Sequence, residues 1–190
     1  MDGQVLILYH CNEQNKCLKF LNEKDYLISS NEDGIWLGSG MYFWDNVSNA
    51  KFWKQEKIKK GNTSNLCILC VKVSGDNILD LTDLDICNKI ADIWIKLIKK
   101  GKIKSEKNNM PLGEKLNILY KIIPDFINIY PVIKVFGKYN KTPKNNLFCY
   151  NINTNEAEPT LASKCIYNIK VSKCILEKEQ FFYKGEYIND

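Results

Sequence analysis

Gly34-Ile-Trp-Leu-Gly-Ser-Gly-Met-Tyr-Phe-Trp44, running on to Trp53, is the stretch that most restricts what this chain can become. Gly34, Gly38 and Gly40 fall within seven residues and lead straight into an aromatic cluster. Glycine permits positive φ and a close backbone approach to a neighbour. Tyr42, Phe43 and Trp44 then present broad apolar faces, two of them with a polar handle. The combination suits a loop that covers a ring-shaped ligand, and equally a turn that feeds a core strand.

The flanking sequence supplies the frame. Gln4 to Tyr9 is a short apolar run that reads as a buried strand and delivers His10 at its end. Cys17, Leu18 and Leu21 recur at helical spacing between Gln14 and Asn22, and Tyr26 to Ile28 predicts a brief strand. Asp45 or Asn46 is placed to cap a helix whose Val47, Ala50 and Trp53 share a face, with Gly61 ending it. Leu66 to Val73 predicts a central strand and Asn77 to Leu81 a short extended piece. Thr82 or Asp83 then opens an amphipathic helix with Cys87, Ile90, Ala91, Trp94, Leu97 and Ile98 on its apolar side, ended by Gly101. Lys102 to Asn109 reads as a mobile polar connection, and Leu112 to Ile123 as a helix closed by Pro124. Tyr130–Phe136, Leu147–Ile152, Cys165–Val171 and Gln180–Tyr183 are the remaining strand candidates.

Strands and helices are mixed without regular alternation, which predicts an α+β fold in a single domain over residues 1–190. No Gly-x-Gly-x-x-Gly follows a strand and no phosphate loop is present, which excludes the common nucleotide-binding folds. The formal net charge of +5 comes from lysine alone, since the chain contains no arginine. Heavy Asn and Ile use makes that charge as much a compositional bias as a functional one. A basic RNA-binding domain would need lysines interleaved with aromatics on a recognisable platform, and none is apparent. No apolar run is long enough to cross a membrane, and the first ten residues carry no secretory pattern, so a cytoplasmic protein is expected.

Eight cysteines are scattered at 11, 17, 67, 70, 87, 149, 165 and 174. Cys67 and Cys70 form the only Cys-x-x-Cys, but in a strand residues three apart point to opposite faces and make a poor chelate. Reduced, buried thiols and no metal are expected.

His10, the only histidine, gives the glycine–aromatic stretch a more specific sense. Leu8-Tyr-His-Cys-Asn12, followed some thirty residues later by Trp36-Leu-Gly-Ser-Gly-Met-Tyr-Phe-Trp44, resembles the ADP-ribosyltransferase superfamily in its PARP-like, diphtheria-toxin-like branch. Members carry a strand ending in Tyr-His-Gly, then a Gly-x-Gly-Ile/Leu-Tyr-Phe loop and a second aromatic eleven residues after the loop tyrosine. Tyr42 and Trp53 have that spacing, and Asn49-Ala-Lys-Phe-Trp53 is similar to the family's Ser-Ala-x-Tyr. The motifs cover about the first third of the chain.

The resemblance implies a split antiparallel β-sandwich with flanking helices and a mono-ADP-ribosyltransferase using NAD as co-substrate. It further implies a macromolecular acceptor, protein or nucleic acid, a toxin or defence role, and an inhibitory partner protein. His10 would bond the 2′-hydroxyl of the nicotinamide ribose and the backbone at Cys11 the carboxamide. Tyr42 would stack on nicotinamide, Trp53 would form the opposite wall, and Gly38 and Gly40 would let the loop fold over the ligand. Cys11 stands where members have glycine. The third signature position, a glutamate in members, falls on Asn168 here, with Glu156, Glu158, Glu177 and Glu179 at either end of that strand. An amide orients ribose hydroxyls but cannot act as a base, hence single transfers. The alternative is a catalytically weak NAD-binding or interaction module on the same fold.

Overall fold

The computed structural model describes residues 4–30, 34, 36–61, 65–138 and 163–182. Within them the chain is α+β, built on one seven-stranded, mostly antiparallel sheet. The strands are β1 (Val5–Glu13), β2 (Met41–Trp44), β3 (Leu66–Ser74), β4 (Ile78–Asp80), β5 (Val132–Lys138), β6 (Ser163–Ile169) and β7 (Ile175–Gln180). Their order across the sheet is β4-β5-β6-β2-β1-β3-β7, and only β4 and β5 run parallel.

The helices are α1 (Gln14–Asn22), α2 (Val47–Lys59), α3 (Leu84–Lys99), α4 (Leu112–Ile122) and the short α5 (Phe126–Ile129). α1 lies on one face of the sheet, where Cys17 and Phe20 pack with Leu8, Phe43, Leu69 and Val71. α2 covers the other face of β1 and β3 through Ala50. α3, α4 and α5 bury Trp94, Leu116, Leu119 and Phe126 against Leu79, Ile133 and Ile166 of the β4–β6 half.

Local sequence accounts for the helix ends. The Asn46 side chain accepts from the Asn49 amide at 3.0 Å, and Asp83 Oδ1 accepts from the amides of Asp85 and Ile86. Each satisfies donors that an isolated first turn leaves open. Gly61 and Gly101 close α2 and α3 at φ +82° and +67°, a conformation that costs a side-chain-bearing residue.

Several expectations need correction. Leu66–Val73 is an interior strand paired on both sides, but it lies one place from the sheet edge, between β1 and the edge strand β7. Its unbroken apolar run arises because α1 and α2 cover both of its faces. Tyr26–Ile28 pairs with no strand; only Ser30 forms an isolated bridge, to Gly40. β7 begins at Ile175, five residues before the expected Gln180, and Tyr183 lies outside the described residues. Ala91 is exposed, and Ile86 and Ile93 join the packed side of α3 instead. The connection after α3 contains a 3₁₀ turn at Ser105–Asn109 and anchors Ile103 at 6% exposure. Leu147–Ile152 falls outside the described residues.

The sheet is nearly divided in two. β1 and β3 pair over nine rungs, whereas β1 and β2 pair only at Tyr9 and Trp44. The next antiparallel rungs, His10 opposite Phe43 and Cys11 opposite Tyr42, are not made. Among the described residues, no helix is long and apolar enough to cross a membrane.

Candidate functional site

The seam between β1 and β2 is where the candidate residues gather. His10 sits just past the last rung, 7% exposed, and its ring takes over the cross-strand contact that the backbone gives up. His10 Nδ1 lies 2.6 Å from the Tyr42 carbonyl oxygen. A carbonyl only accepts, so Nδ1 carries the proton and donates. Nε2 is then a lone-pair nitrogen, and the Asn12 amide donates to it at 3.2 Å. Burial lowers the His10 pKa from 6.5 to about 4, opposed by the Tyr42 bond and reinforced by the nearby charge of Lys57. The imidazole is therefore neutral at pH 7, an acceptor aimed from a fixed ring.

Around it opens a cleft of about 640 Å³. Its apolar walls are Tyr26, Trp36, Tyr42, Trp44, Trp53 and Ile166, and its polar groups include His10, Asn12, Ser29, Ser30, Lys16 and Lys57. Trp53 is set by α2 and Trp44 by β2, their ring centroids 6.1 Å apart and tilted 49°. The size and the mixture of flat apolar walls with a few convergent polar groups match a small-molecule site. The stretch 26–30, free of a strand ladder, forms one side of the opening.

Tyr42 has two roles. Its ring faces the cleft, while its hydroxyl donates to the Gly38 carbonyl at 2.7 Å and accepts from the Leu37 amide at 3.0 Å. The aromatic residue thus fastens the glycine loop that precedes it. Asn117 Oδ1 accepts from the Ser39 amide at 2.8 Å, and Lys170 Nζ donates to the Leu37 and Ser39 carbonyls. The loop is held from behind by α4 and by the residue that follows β6.

Gly38 and Gly40 do not line the cleft. Their positive φ values, +74° and +139°, are accompanied by tight packing on the far side. A Cβ on Gly38 would come 2.2 Å from Asn117 Oδ1, and one on Gly40 2.3 Å from Asn168 Oδ1. These glycines let the loop press onto α4 and β6, not onto a ligand. Asn168 is likewise absent from the lining. It is fully buried beneath the loop, with Nδ2 3.5 Å from the Gly38 carbonyl and Oδ1 without a hydrogen-bond partner among the described residues. The β6 side chain that reaches the cleft is Ile166, two residues earlier and opposite Trp44. The structure brings His10, Cys11, Tyr42 and Trp53 together and leaves Gly38, Gly40 and Asn168 behind the wall.

Cys11 contributes main chain. The residue is 1% exposed, and its side chain packs with Ala50, Leu66 and Ile68 under α2. Burial raises the thiol pKa to about 11, so it stays protonated. Of the four glutamates considered for the third position, Glu177 pairs with Lys72 at 2.6 Å on the β7 edge and Glu179 faces Cys70 and Tyr9. Glu156 and Glu158 lie outside the described residues. Among the described residues, none that lines the cleft is a carboxylate. Sequence reasoning missed Trp36, Lys16, Lys57 and the 26–30 stretch; Lys57 belongs to the last turn of α2, where basic residues are ordinary and carry no signal of a site.

The seven described cysteines are free thiols, with Cys67 and Cys70 facing opposite sides of β3. Among the described residues no three His, Cys, Asp or Glu side chains gather as a metal site would need.

Comparison with known proteins gives one relative, an uncharacterized protein, MJ0359, of Methanocaldococcus jannaschii. It is 28% identical over 123 residues, which cover 61% of this chain and 56% of the relative. The chain thus matches little more than half the length of that protein. No family model and no solved structure matches.

Proposed function

We propose that the cleft binds NAD and that the chain is a mono-ADP-ribosyltransferase, cleaving the nicotinamide–ribose bond and passing ADP-ribose to an acceptor. The observation that carries this reading is the sole histidine, held as a neutral acceptor among the aromatic walls at the seam of a divided sheet. Cleaving that bond develops positive charge on the ribose. Rigid positioning of the ring and a preformed hydrogen bond to the sugar lower the barrier most. His10 Nε2 would accept from the ribose 2′-hydroxyl, displacing the Asn12 amide. The flat faces of Tyr42 and Trp53 would bracket nicotinamide, and the Cys11 main chain would meet the carboxamide. The narrow β1–β2 seam supports the resemblance to the split sandwich of the PARP-like branch.

A second reading, an NAD-binding module without turnover, is favoured by the burial of Asn168 away from the cleft. Mass spectrometry of nicotinamide release and of label transfer from NAD, with lysate, RNA and DNA offered as acceptors, separates the two. Transfer is expected in the wild type. It should fall by about a hundredfold in folded His10→Ala, as when a preorganised transition-state hydrogen bond is lost. Saturable NAD binding without nicotinamide release would favour the module instead. Unchanged turnover in well-folded His10→Ala would remove the transferase reading.

A further inference from the structure

The Leu37–Gly40 turn lies behind the cleft wall, yet three residues of that wall hang on it. Trp36 precedes it, Ser30 is bridged to Gly40, and Tyr42 is tied to it by its hydroxyl. All four carbonyls of the turn are bound. The Leu37 and Ser39 oxygens accept from Lys170 Nζ, the former at 3.0 Å. The Gly38 oxygen accepts from the Tyr42 hydroxyl and from Asn168 Nδ2, and the Gly40 oxygen from the Ser30 amide at 2.9 Å. A connecting turn usually runs over the surface and leaves such groups to water.

Lys170 supplies the charge among these partners. It follows β6, and its own amide donates to the Pro131 carbonyl at 2.9 Å, which fixes the root of the side chain. Its ammonium stands 4.8 Å from the centre of the Tyr120 ring, a favourable place for a cation. Tyr120 is held in turn, its hydroxyl donating to the Tyr130 carbonyl at 2.7 Å. Charge-assisted hydrogen bonds are stronger than neutral ones, so Lys170 is the firmest tie on the turn. From there the connection runs on through Tyr42, whose own carbonyl accepts from His10 Nδ1.

Resting on the transferase reading above, we propose that Lys170 is a positioning residue for the reaction. Its side chain does not line the cleft. It acts through the Leu37 and Ser39 carbonyls on the turn that grips the Tyr42 hydroxyl. Tyr42 then sets its ring against nicotinamide and, by its carbonyl, the His10 imidazole against the ribose. A misplacement of about 1 Å caused far from the chemistry can cost about a hundredfold in rate. Stacking in the ground state tolerates a shifted ring better than the transition state tolerates a shifted hydrogen bond, so the loss falls on kcat.

The test measures nicotinamide release and NAD affinity in Lys170→Met, which keeps an apolar stem against Tyr120 and removes both donors. The folded fraction is taken from chemical denaturation. Turnover per folded molecule should fall by about tenfold or more, while the calorimetric Kd for NAD changes by less than about threefold. Lys170→Arg, which keeps the charge and can donate to both carbonyls, should recover most of the rate. In a Tyr42→Phe background the hydroxyl link is already cut, and Lys170→Met should lower kcat further by less than about twofold. If Lys170→Met does not fold, Lys170→Gln is read by the same criteria. Wild-type turnover in the folded variant, equal losses in the two backgrounds, or a kcat in Lys170→Arg as low as in Lys170→Met would overturn the positioning role and leave the transferase reading standing. Absence of nicotinamide release from the wild-type protein would overturn both.

Discussion

His10 performs two jobs with one ring: it completes a broken strand pairing through Nδ1 and offers Nε2 to the cleft. Its burial makes a pH dependence with a definite sign. The unfolded chain takes up a proton near pH 6.5, and the folded one resists until about pH 4. Stability from this residue is therefore complete above pH 6.5 and is lost as pH falls through that window, by up to about 3 kcal/mol. Comparing urea midpoints of wild type and His10→Gln at pH 7 and pH 4.5 cancels the carboxylates common to both; the wild-type advantage should shrink at the lower pH. A constant difference would mean that His10 titrates normally. Tyr42 separates along similar lines. Tyr42→Phe keeps the ring and loses the hydroxyl that fastens Leu37 and Gly38, so denaturation should show a loss of about 1–2 kcal/mol. Tyr42→Ala should in addition weaken NAD binding by roughly 1–3 kcal/mol in calorimetry. Equal affinity in Phe and Ala variants would refute stacking.

The glycine loop shows why an element can be legible in sequence and its purpose not. Three closely spaced glycines announce an unusual backbone, and the aromatic run announces a buried strand; both are present. Which side the glycines face depends on Asn117 and Asn168, which lie far away in sequence. The expected consequence contrasts two substitutions. Gly40→Ala combines a φ of +139° with a contact of 2.3 Å to Asn168 Oδ1 and should cost about 2–4 kcal/mol. Gly61→Ala, at φ +82° with open space around it, should cost only about 1 kcal/mol. Comparable losses in chemical denaturation would mean that the packing behind the loop contributes nothing. Helices fared best in the sequence because caps and periodicity are local: α1 begins and ends where spacing places it, and Asn46 and Asp83 cap as their residue types suggest. Asn168 was misplaced because strand register, set by pairing with β2, decides which residue of β6 reaches the cleft.

At the scale of the molecule, the α+β character follows from the mixed periodicities, but the division of the sheet does not. A seam held by the single pair Tyr9–Trp44 is a property of strands far apart in the chain, and no local signal encodes it. Yet that seam turns β1, which runs past His10 to Glu13 and not only to the expected end at Tyr9, and the aromatic loop into opposite sides of one cleft. Having only one histidine makes the central claim directly measurable. Nitrogen-15 NMR of imidazole-labelled protein would report His10 alone. Between pH 5.5 and 8 the account expects a protonated Nδ1 and a lone-pair Nε2, with a midpoint well below 6.5, and an Nε2 resonance that shifts saturably as NAD is added. A ring titrating near pH 6.5 and indifferent to NAD would contradict it.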